Sequence, residues 1–136
     1  MSNVKDTKIL TLTGAKAIAA AAESEAISNG WGVSIAIVDA GGHLLHLQRL
    51  DGAGPGTAVA ATCKARTAAI FCFETGALES MVKEGRTAVI SLPDMVPLQG
   101  GVPITVDGVV IGGVGVSGVQ SHDDEHVAKV GIEALM

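Results

Sequence analysis

Residues 100–118 read Gly-Gly-Val-Pro-Ile-Thr-Val-Asp-Gly-Val-Val-Ile-Gly-Gly-Val-Gly-Val-Ser-Gly, and this stretch decides the fold. It contains two runs rich in β-branched residues, 102–106 and 109–116, which are separated by the dipeptide Asp107-Gly108. Both residues of an Asp-Gly dipeptide tolerate positive φ, which a type I′ turn requires between two twisted strands. The stretch therefore predicts a β-hairpin.

The register of this hairpin predicts which side chains share a face of the sheet. Pairing across the turn places Ile104 opposite Ile111. One predicted face carries Ile104, Val106, Val109, Ile111, Gly113, Gly115 and Ser117, and the other carries Thr105, Val110, Gly112, Val114 and Val116. Because both faces are mostly apolar, we expect each to be covered by helices or by another subunit. At Gly113 and Gly115 a helix, another backbone or a flat ligand can approach closely, unless a β-bulge changes the register.

The chain before this hairpin predicts a helix and then a second hairpin. Apolar residues recur at helical spacing at Ala15, Ile18, Ala19, Ala22 and Ala26. Thr11 or Thr13 suits the N-cap of this helix, and Gly30 suits its C-terminal stop. Residues 33–38 and 43–50 then favour two antiparallel strands that are joined by a turn.

The remaining segments predict helices and one further strand. Residues 57–73 and 78–83 favour helices, and residues Thr87–Ser91 favour a short strand. Ser121 suits the N-cap of a last helix that runs towards Leu135, with acidic residues in its first turn. Hairpins without βαβ crossovers indicate a mostly antiparallel sheet of about five strands with helices packed on it, which is an α+β fold.

Length and composition restrict the classes of protein to which the chain can belong. Its 136 residues suit one domain, residues 1–136, and 48% of them are hydrophobic while only 2% are aromatic. We therefore expect a core of small aliphatic side chains, with helices close to the sheet. Mean hydropathy is +0.45, yet no uncharged apolar run approaches the roughly 20 residues that a membrane span needs. The surplus apolar surface is expected in homo-oligomer interfaces.

Charge and cysteine content restrict the classes further. A net charge of −5 argues against a nucleic-acid partner, which normally requires a basic patch. Cys63 and Cys72 lie nine residues apart on a predicted helix, so they face nearly opposite directions and cannot pair. A small Cys in a helix is more often buried packing than a reactive thiol. The N-terminus carries no secretion signal, which predicts a cytoplasmic protein with free thiols.

The histidines are the first candidate metal ligands. His43 and His46 are three residues apart on a predicted strand, so they face opposite sides of it. His122 and His126 are four residues apart on a predicted helix and share a face, a spacing that can hold a metal ion. Because the sequence fixes no third ligand, a solvated helix N-terminus is the more frequent meaning of such a pair.

Charged residues in apolar surroundings are the second set of candidates. They comprise Arg49 and Asp51 at a strand end, Lys64 and Arg66 on an Ala-rich helix, and Asp124 and Glu125 at the start of the last helix. Charges are costly to desolvate unless they are paired. Each cation near a carboxylate is therefore either a structural ion pair or a site for an acidic ligand.

Several motifs occur in a characteristic order along the chain. They are His43-Leu-Leu-His-Leu-Gln-Arg-Leu-Asp-Gly-Ala, Lys64-Ala-Arg-Thr-Ala, Gly100-Gly-Val-Pro-Ile, Ile111-Gly-Gly-Val-Gly-Val-Ser-Gly and Asp124-Glu-His-Val-Ala-Lys-Val-Gly. In order and spacing, this set resembles the GlcG/HbpS family, also called the haem-degrading or DUF336 family. The resemblance covers nearly the whole chain from Thr11.

The resemblance implies a profilin-like, three-layer α/β/α fold with a five-stranded, mostly antiparallel sheet, assembled as dimers, tetramers or octamers. It also makes haem or iron a candidate cofactor, because family members include haem-binding proteins. The recurrent positions of the family fall here on Arg49, Asp51, Lys64, Gly100, Gly101, Pro103, Asp124 and Glu125. Such residues would share one pocket at the strand ends, with the amides of Gly100 and Gly101 offered to an anion.

Three functions are compatible with these residues. The first is a protein that binds haem or a related tetrapyrrole, with Arg49 and Lys64 pairing with propionates. The second is a small cofactor-independent hydrolase, isomerase or proton-transfer enzyme that acts on a carboxylated catabolite, with Asp51, Lys64 and Asp124 as catalytic residues. The third is a non-catalytic oligomeric accessory protein. Ligand binding is placed first, although the scarcity of aromatic residues leaves little for a flat ring to stack on.

Overall fold

The computed structural model describes residues 2–135, and its elements follow the predicted order with one exception. The elements in chain order are α1 (Leu12–Ser28), β1 (Ser34–Asp39), β2 (Leu44–Arg49), α2 (Gly56–Phe71), α3 (Thr75–Lys83), a 3₁₀-helix (Thr87–Ser91), β3 (Gly101–Val106), β4 (Val109–Ser117) and α4 (Ser121–Glu133). None of the helices among these residues combines the length and the apolar character that crossing a bilayer requires.

The four strands form one sheet in the order β2-β1-β4-β3, and every neighbouring pair is antiparallel. The predicted α+β class and antiparallel sheet are confirmed, but the predicted number of five strands is wrong. The segment Thr87–Ser91 forms a 3₁₀-helix, in which Val89 packs with Leu78 and Met95 in a small cluster beside α3. Packing against distant residues outweighs the β propensity of this segment.

The hairpin predicted from residues 100–118 forms as β3 and β4. Asp107 and Gly108 have φ values of 50° and 77°, as the two central residues of a type I′ turn require. The register shifts after the first two pairs beyond the turn, so Ile104 pairs with Gly112 while Ile111 has no partner in β3. This bulge makes the predicted assignment of side chains to the two faces wrong beyond that point.

Helix α2 covers one face of the sheet and lies close to β4 because glycines face it. A Cβ added to Gly113 would meet the Ala65 carbonyl oxygen, and one added to Gly115 would meet the Ala61 carbonyl oxygen. Of the three neighbours expected at these two glycines, namely a helix, another backbone or a flat ligand, the structure places a helix there. Ile104, which was expected beside them, lies on the opposite face because of the bulge.

Helices α1 and α4 cover the opposite face of the sheet and enclose the larger core. Ile18 of α1 and Val127 of α4 are fully buried there together with Ile37 and Val116 of the sheet. All the residues predicted for the buried face of α1 are buried, and Thr11 is its N-cap. The chain therefore forms three layers, with α2 on one side of the sheet and α1 and α4 on the other.

Two helix ends differ from the predictions. Helix α2 ends at Phe71, because Cys72 adopts the left-handed conformation with φ 59° and stops the helix. Helix α4 has Gln120 and not Ser121 as its N-cap. The Ser121 hydroxyl instead donates a hydrogen bond to Gln99 Oε1 at 3.2 Å, which ties the start of α4 to the loop before β3.

Candidate functional site

Lys64 and Asp124 form an ion pair inside the protein. Lys64 Nζ lies 3.3 Å from Asp124 Oδ2, and the exposed fractions of the two residues are 4% and 2%. Lys64 Nζ also donates a hydrogen bond to the Val116 carbonyl oxygen at 3.0 Å. Asp124 Oδ1 accepts a hydrogen bond from the Val119 N–H at 3.1 Å. The pair thus joins α2, β4 and the start of α4 from within.

The protonation of Asp124 is governed by its burial. Burial raises the pKa of the Asp124 carboxyl above its ordinary value, although the Val119 N–H and the Lys64 ammonium act in the opposite direction. Perturbed carboxyl pKa values occur in catalytic acids as well as in structural ion-pair networks. Because neither partner reaches the surface, this geometry supports a structural role for the pair.

Gly100 and Gly101 pack directly against Lys64. A Cβ at Gly100 would lie 2.8 Å from Lys64 Nζ, and one at Gly101 would meet the Lys64 carbonyl oxygen. The Gly101 N–H donates a hydrogen bond to Thr75 Oγ1 at 2.8 Å, and the Val116 N–H donates one to the Gly100 carbonyl oxygen at 3.0 Å. The Gly101 amide, which was expected to face an anion, is therefore engaged within the protein.

Arg49 and Asp51 are exposed near the end of β2 and lie apart from the buried pair. Arg49 pairs with Ser34 of β1, so two strand spacings, roughly 10 Å, separate it from β4. Asp51 lies at an open cavity of about 390 Å³ whose lining includes Glu23 and Trp31. The structure therefore brings the buried pair and the two adjacent glycines together but leaves these two residues elsewhere.

Pro103 and Glu125 occupy two further separate positions. Pro103 is half-buried in the edge strand β3 opposite Gly113, where its missing N–H is tolerated. Glu125 extends from α4 beside Gly76 of α3, and its Oε2 lies 3.4 Å from Lys129 Nζ. Their predicted roles in ligand binding stay predictions, because the structure does not group them around a common cavity with Lys64.

His122 and His126 both lie on α4, but a different carboxylate faces each of them. His126 Nε2 lies 3.1 Å from Glu25 Oε2, and His122 Nε2 lies 3.5 Å from Asp123 Oδ1. Within residues 2–135, no group of three or more His, Cys, Asp or Glu side chains is placed to hold a metal ion. The metal site at this pair therefore stays a prediction without a third ligand.

The side of α2 that does not pack on the sheet, which we call its outer side, carries an open groove next to the edge strand β2. Its lining consists of Leu47, Ala58, Val59, Thr62 and Cys63, and its volume is about 280 Å³. We call it the outer groove. Leu47 is 40% exposed and Val59 is 67% exposed, so the groove presents apolar side chains to solvent. Contiguous exposed apolar surface of this kind is a candidate binding surface.

A second cavity continues from the outer groove, because both share Thr62 and Cys63. It has a volume of about 380 Å³ and is lined by Thr62, Cys63, Arg66, Asp94, Met95 and Val96. We call it the Arg66 pocket. Cys63 is partly exposed and has no disulfide partner, so the expectation that it is merely buried packing is wrong. Cys72 is also free, and it is exposed at the end of α2.

Sequence reasoning noted Arg66 but did not place it, or Cys63, in a binding site. The available signal was helical spacing, since Val59, Cys63 and Arg66 recur at intervals of four and three residues. This stripe lies opposite the alanines that pack on the sheet. The Ala-rich composition of α2 concealed it, because the helix shows little contrast between its two sides.

Comparison with known proteins finds a family and a relative that match most of the chain. Residues 10–133 match the family model described as haem degrading protein, HbpS-like. Protein GlcG of Escherichia coli is 50% identical over 114 residues, which are 84% of this chain and 85% of GlcG.

Solved structures with the same fold agree with this match. A crystal structure of a double mutant of HbpS from Streptomyces reticuli superimposes with a TM-score of 0.90 at 34% identity, covering 100% of this chain and 93% of that one. A crystal structure of a PduOC complex with haem superimposes with a TM-score of 0.85 at 27% identity, covering 93% of this chain and 95% of that one.

Proposed function

The chain belongs to the GlcG/HbpS family, that of the HbpS-like haem-degrading proteins, and from this premise we propose that it binds haem or a related tetrapyrrole in the outer groove. The observation that carries the proposal is an apolar groove on the outer side of α2 with a cation near each end. The similarity to the haem complex of PduOC supports the choice of ligand class.

The apolar lining of the outer groove suits one face of a macrocycle. Leu47 of β2, which lines the groove, and Leu44, which lies outside the lining, are both exposed, and register places both on the sheet face that α2 covers. Val59 of α2 is exposed on the helical side of the same groove. Burial of these side chains against a flat ring would remove apolar surface from water, which is the main driving force for binding such a ligand.

Two arginines suit the propionates of such a ligand. Arg49 lies on the same sheet face as Leu47, because the two residues are two positions apart in β2. Arg66 lines the adjoining pocket. Guanidinium groups bind carboxylates with two hydrogen bonds. Lys64, which was expected in this role, is committed to Asp124 inside the protein.

The sulfur atoms beside the groove suit the metal of such a ligand. Cys63 lines both the outer groove and the Arg66 pocket, and Met95 lines the Arg66 pocket. Cysteine and methionine are both known axial ligands of haem iron. When bound, haem would supply redox or oxygen chemistry at its iron, whereas the side chains named here would bind and orient it.

The proposed function also includes an oligomeric state and a location in the cell. One chain offers an open groove that covers a single face of a flat ligand, so a second copy would be needed to cover the other face. We therefore retain a homo-oligomer in the cytoplasm as part of the proposed function. The alternative enzyme on a carboxylated catabolite has less support, because its proposed base and cation, Asp124 and Lys64, are paired inside the protein.

Titration of the purified protein with haemin tests the proposal. We expect a saturable change in the Soret band, weakened at least several-fold by Val59→Glu, which places a charge in the groove. Val109→Glu is the matched control, because Val109 is also exposed but lies at the β3–β4 turn. Cys63→Ala should change the Soret position if its sulfur ligates the iron. No saturable change, or equal weakening by both glutamate variants, would refute binding in the outer groove.

A further inference from the structure

Arg66 uses little of the hydrogen-bonding capacity of its guanidinium. Its aliphatic stem packs against the β1–β2 turn, where a Cβ on Gly42 would lie 2.9 Å from Arg66 Cγ. Its guanidinium makes one ionic contact, 3.4 Å from Nη2 to Asp94 Oδ2, and both side chains are partly exposed. Exposed ion pairs of this length contribute little to stability. The stem of Arg66 is thus fixed by packing, whereas its guanidinium is held only by a weak ion pair.

The Nε atom of Arg66 is the main evidence that a ligand binds here. Among residues 2–135, it is the one buried side-chain nitrogen or oxygen that has no hydrogen-bond partner. A buried donor without a partner is unfavourable, and native structures contain few of them. Nε and Nη2 point in nearly the same direction from one edge of a guanidinium, and a carboxylate binds this edge through both of its oxygens.

The wall of the pocket opposite Arg66 is held in place. Asp94 has a φ of 60°, in the left-handed region, which Asp adopts more readily than most residues other than glycine. Two residues later, the Val96 N–H donates a hydrogen bond to Thr67 Oγ1 of α2 at 3.0 Å, and Met95 between them is buried. This hydrogen bond and the burial of Met95 fix the position of this wall of the pocket.

We propose that the Arg66 pocket binds a monocarboxylate, with the Nε and Nη2 edge of Arg66 turning from Asp94 to the two carboxylate oxygens. Apart from Arg66, Asp94 and Thr62, the lining consists of Cys63, Met95 and Val96, which offer sulfur and carbon to a short carbon chain. The volume of about 380 Å³ is within the range of small-molecule sites.

Two kinds of ligand carry a carboxylate that suits this pocket. The carboxylate belongs either to a free small acid or to a propionate of the tetrapyrrole bound in the outer groove. Only the second case rests on the proposed function. Thr62 and Cys63 line both cavities, so a propionate could pass from one to the other without leaving the surface of α2.

Protection of the Cys63 thiol measures binding of a free acid. In a Cys72→Ser background, Cys63 is the sole thiol, and its alkylation rate by iodoacetamide is followed with acetate, butyrate or hexanoate present. We expect at least one acid to slow alkylation several-fold with saturation, and the amide of the same acid to have no effect. Arg66→Gln should abolish the protection, and Arg66→Lys should reduce it, because lysine keeps the charge but loses the two-donor edge. Arg86→Gln, at an exposed arginine outside the pocket, should retain it.

Titration with haemin and with haemin dimethyl ester identifies the second source. If a propionate occupies the pocket, Arg66→Gln weakens haemin several-fold and leaves the ester unchanged, whereas Arg86→Gln affects neither. Acid protection without any effect on haemin supports the site with a free acid as its ligand, even if haem binding fails. Equal protection by acid and amide would overturn the proposal. An Arg66→Gln variant that retains both the protection by acids and the wild-type affinity for haemin would overturn it as well. Unfolding midpoints of the variants show whether any loss reflects misfolding.

Discussion

The two sides of α2 consist of similarly small residues but differ in what they contact. On the inner side, Ala61 and Ala65 are fully buried against β4, whose glycines allow the two backbones to touch. On the outer side, Val59, Cys63 and Arg66 face an open groove and pocket. One side therefore determines how the helix is held, and the other is available to a ligand.

The same contrast separates the two cations of α2. Lys64 is buried and has Asp124 and a backbone carbonyl as its partners. Arg66, two residues later and about 200° further round the helix, has a weak ion pair and an unpaired Nε. A cation with its charge matched inside the protein stabilises the fold, whereas one with unused donors beside a cavity can bind an anion. A charged residue in apolar surroundings therefore indicates a binding site only when the structure shows that its charge is not matched inside the protein.

The largest expected effect comes from filling the space between α2 and β4. Gly115→Val would place a side chain on the Ala61 carbonyl oxygen, and neither backbone can retreat without breaking the layer contact. We expect a loss of more than about 3 kcal/mol in the free energy of unfolding, or no folded protein. Urea denaturation followed by circular dichroism measures it.

Gly54→Val is the control for this substitution. A Cβ at Gly54 would have no atom within 4 Å, and the residue does not need a positive φ. We expect its effect to stay within about 0.5 kcal/mol. If both valine variants were equally stable, the close approach of α2 to β4 would be wrong.

The next effect comes from removing one partner of the buried ion pair. Lys64→Met leaves the Asp124 carboxyl without its cation, and we expect a loss of about 3 to 5 kcal/mol in unfolding free energy at neutral pH. The double variant Lys64→Met/Asp124→Asn removes both charges and should recover most of this loss. Chemical denaturation of the two single variants and the double variant gives the coupling energy. Additive losses would show that the two residues do not interact.

The elements that could be predicted from the sequence are those set by near neighbours. The type I′ turn follows from Asp107-Gly108, and the buried face of α1 follows from its spacing, since both depend on residues a few positions apart. The segment Thr87–Ser91 could not be predicted in the same way. Its conformation depends on Leu78 and Met95, which approach it only in the folded chain.

The candidate site, like the fold, could be predicted from the sequence only in part. Motif resemblance placed Lys64, Asp124, Gly100 and Gly101 in one set, and the structure brings them together. Whether such a set encloses a cavity or an ion pair depends on backbone distances of a few ångströms, which residue types do not encode. The outer groove needed a different fact, namely which face of the sheet α2 covers, and this depends on the whole topology.

The pH dependence of stability tests the burial of Asp124 on the inner side. Because its folded-state pKa is above its ordinary value of 3.8, the folded protein holds this proton more firmly than the unfolded chain does. This contribution to stability is therefore present at low pH and is lost as pH rises from 3.8 through the raised pKa. Asp124→Asn removes it, so wild-type stability relative to this variant should decline over that window. A relative stability that rises with pH would contradict the direction of the pKa shift.

The smallest expected effect is on the outer side of α2, and a matched pair of substitutions shows it. Val59→Thr changes an exposed side chain, so we expect less than about 0.5 kcal/mol of change in unfolding free energy. Val38→Thr makes the same chemical change where Val38 is fully buried in the cluster with the inner alanines of α2. There an added hydroxyl would lose its hydrogen bonds to water, which costs about 1 to 3 kcal/mol. Urea denaturation of both variants under one set of conditions gives the comparison. Similar losses would contradict the exposure of Val59 in solution, and a concentration-dependent unfolding midpoint would then identify a second copy of the chain as its cover.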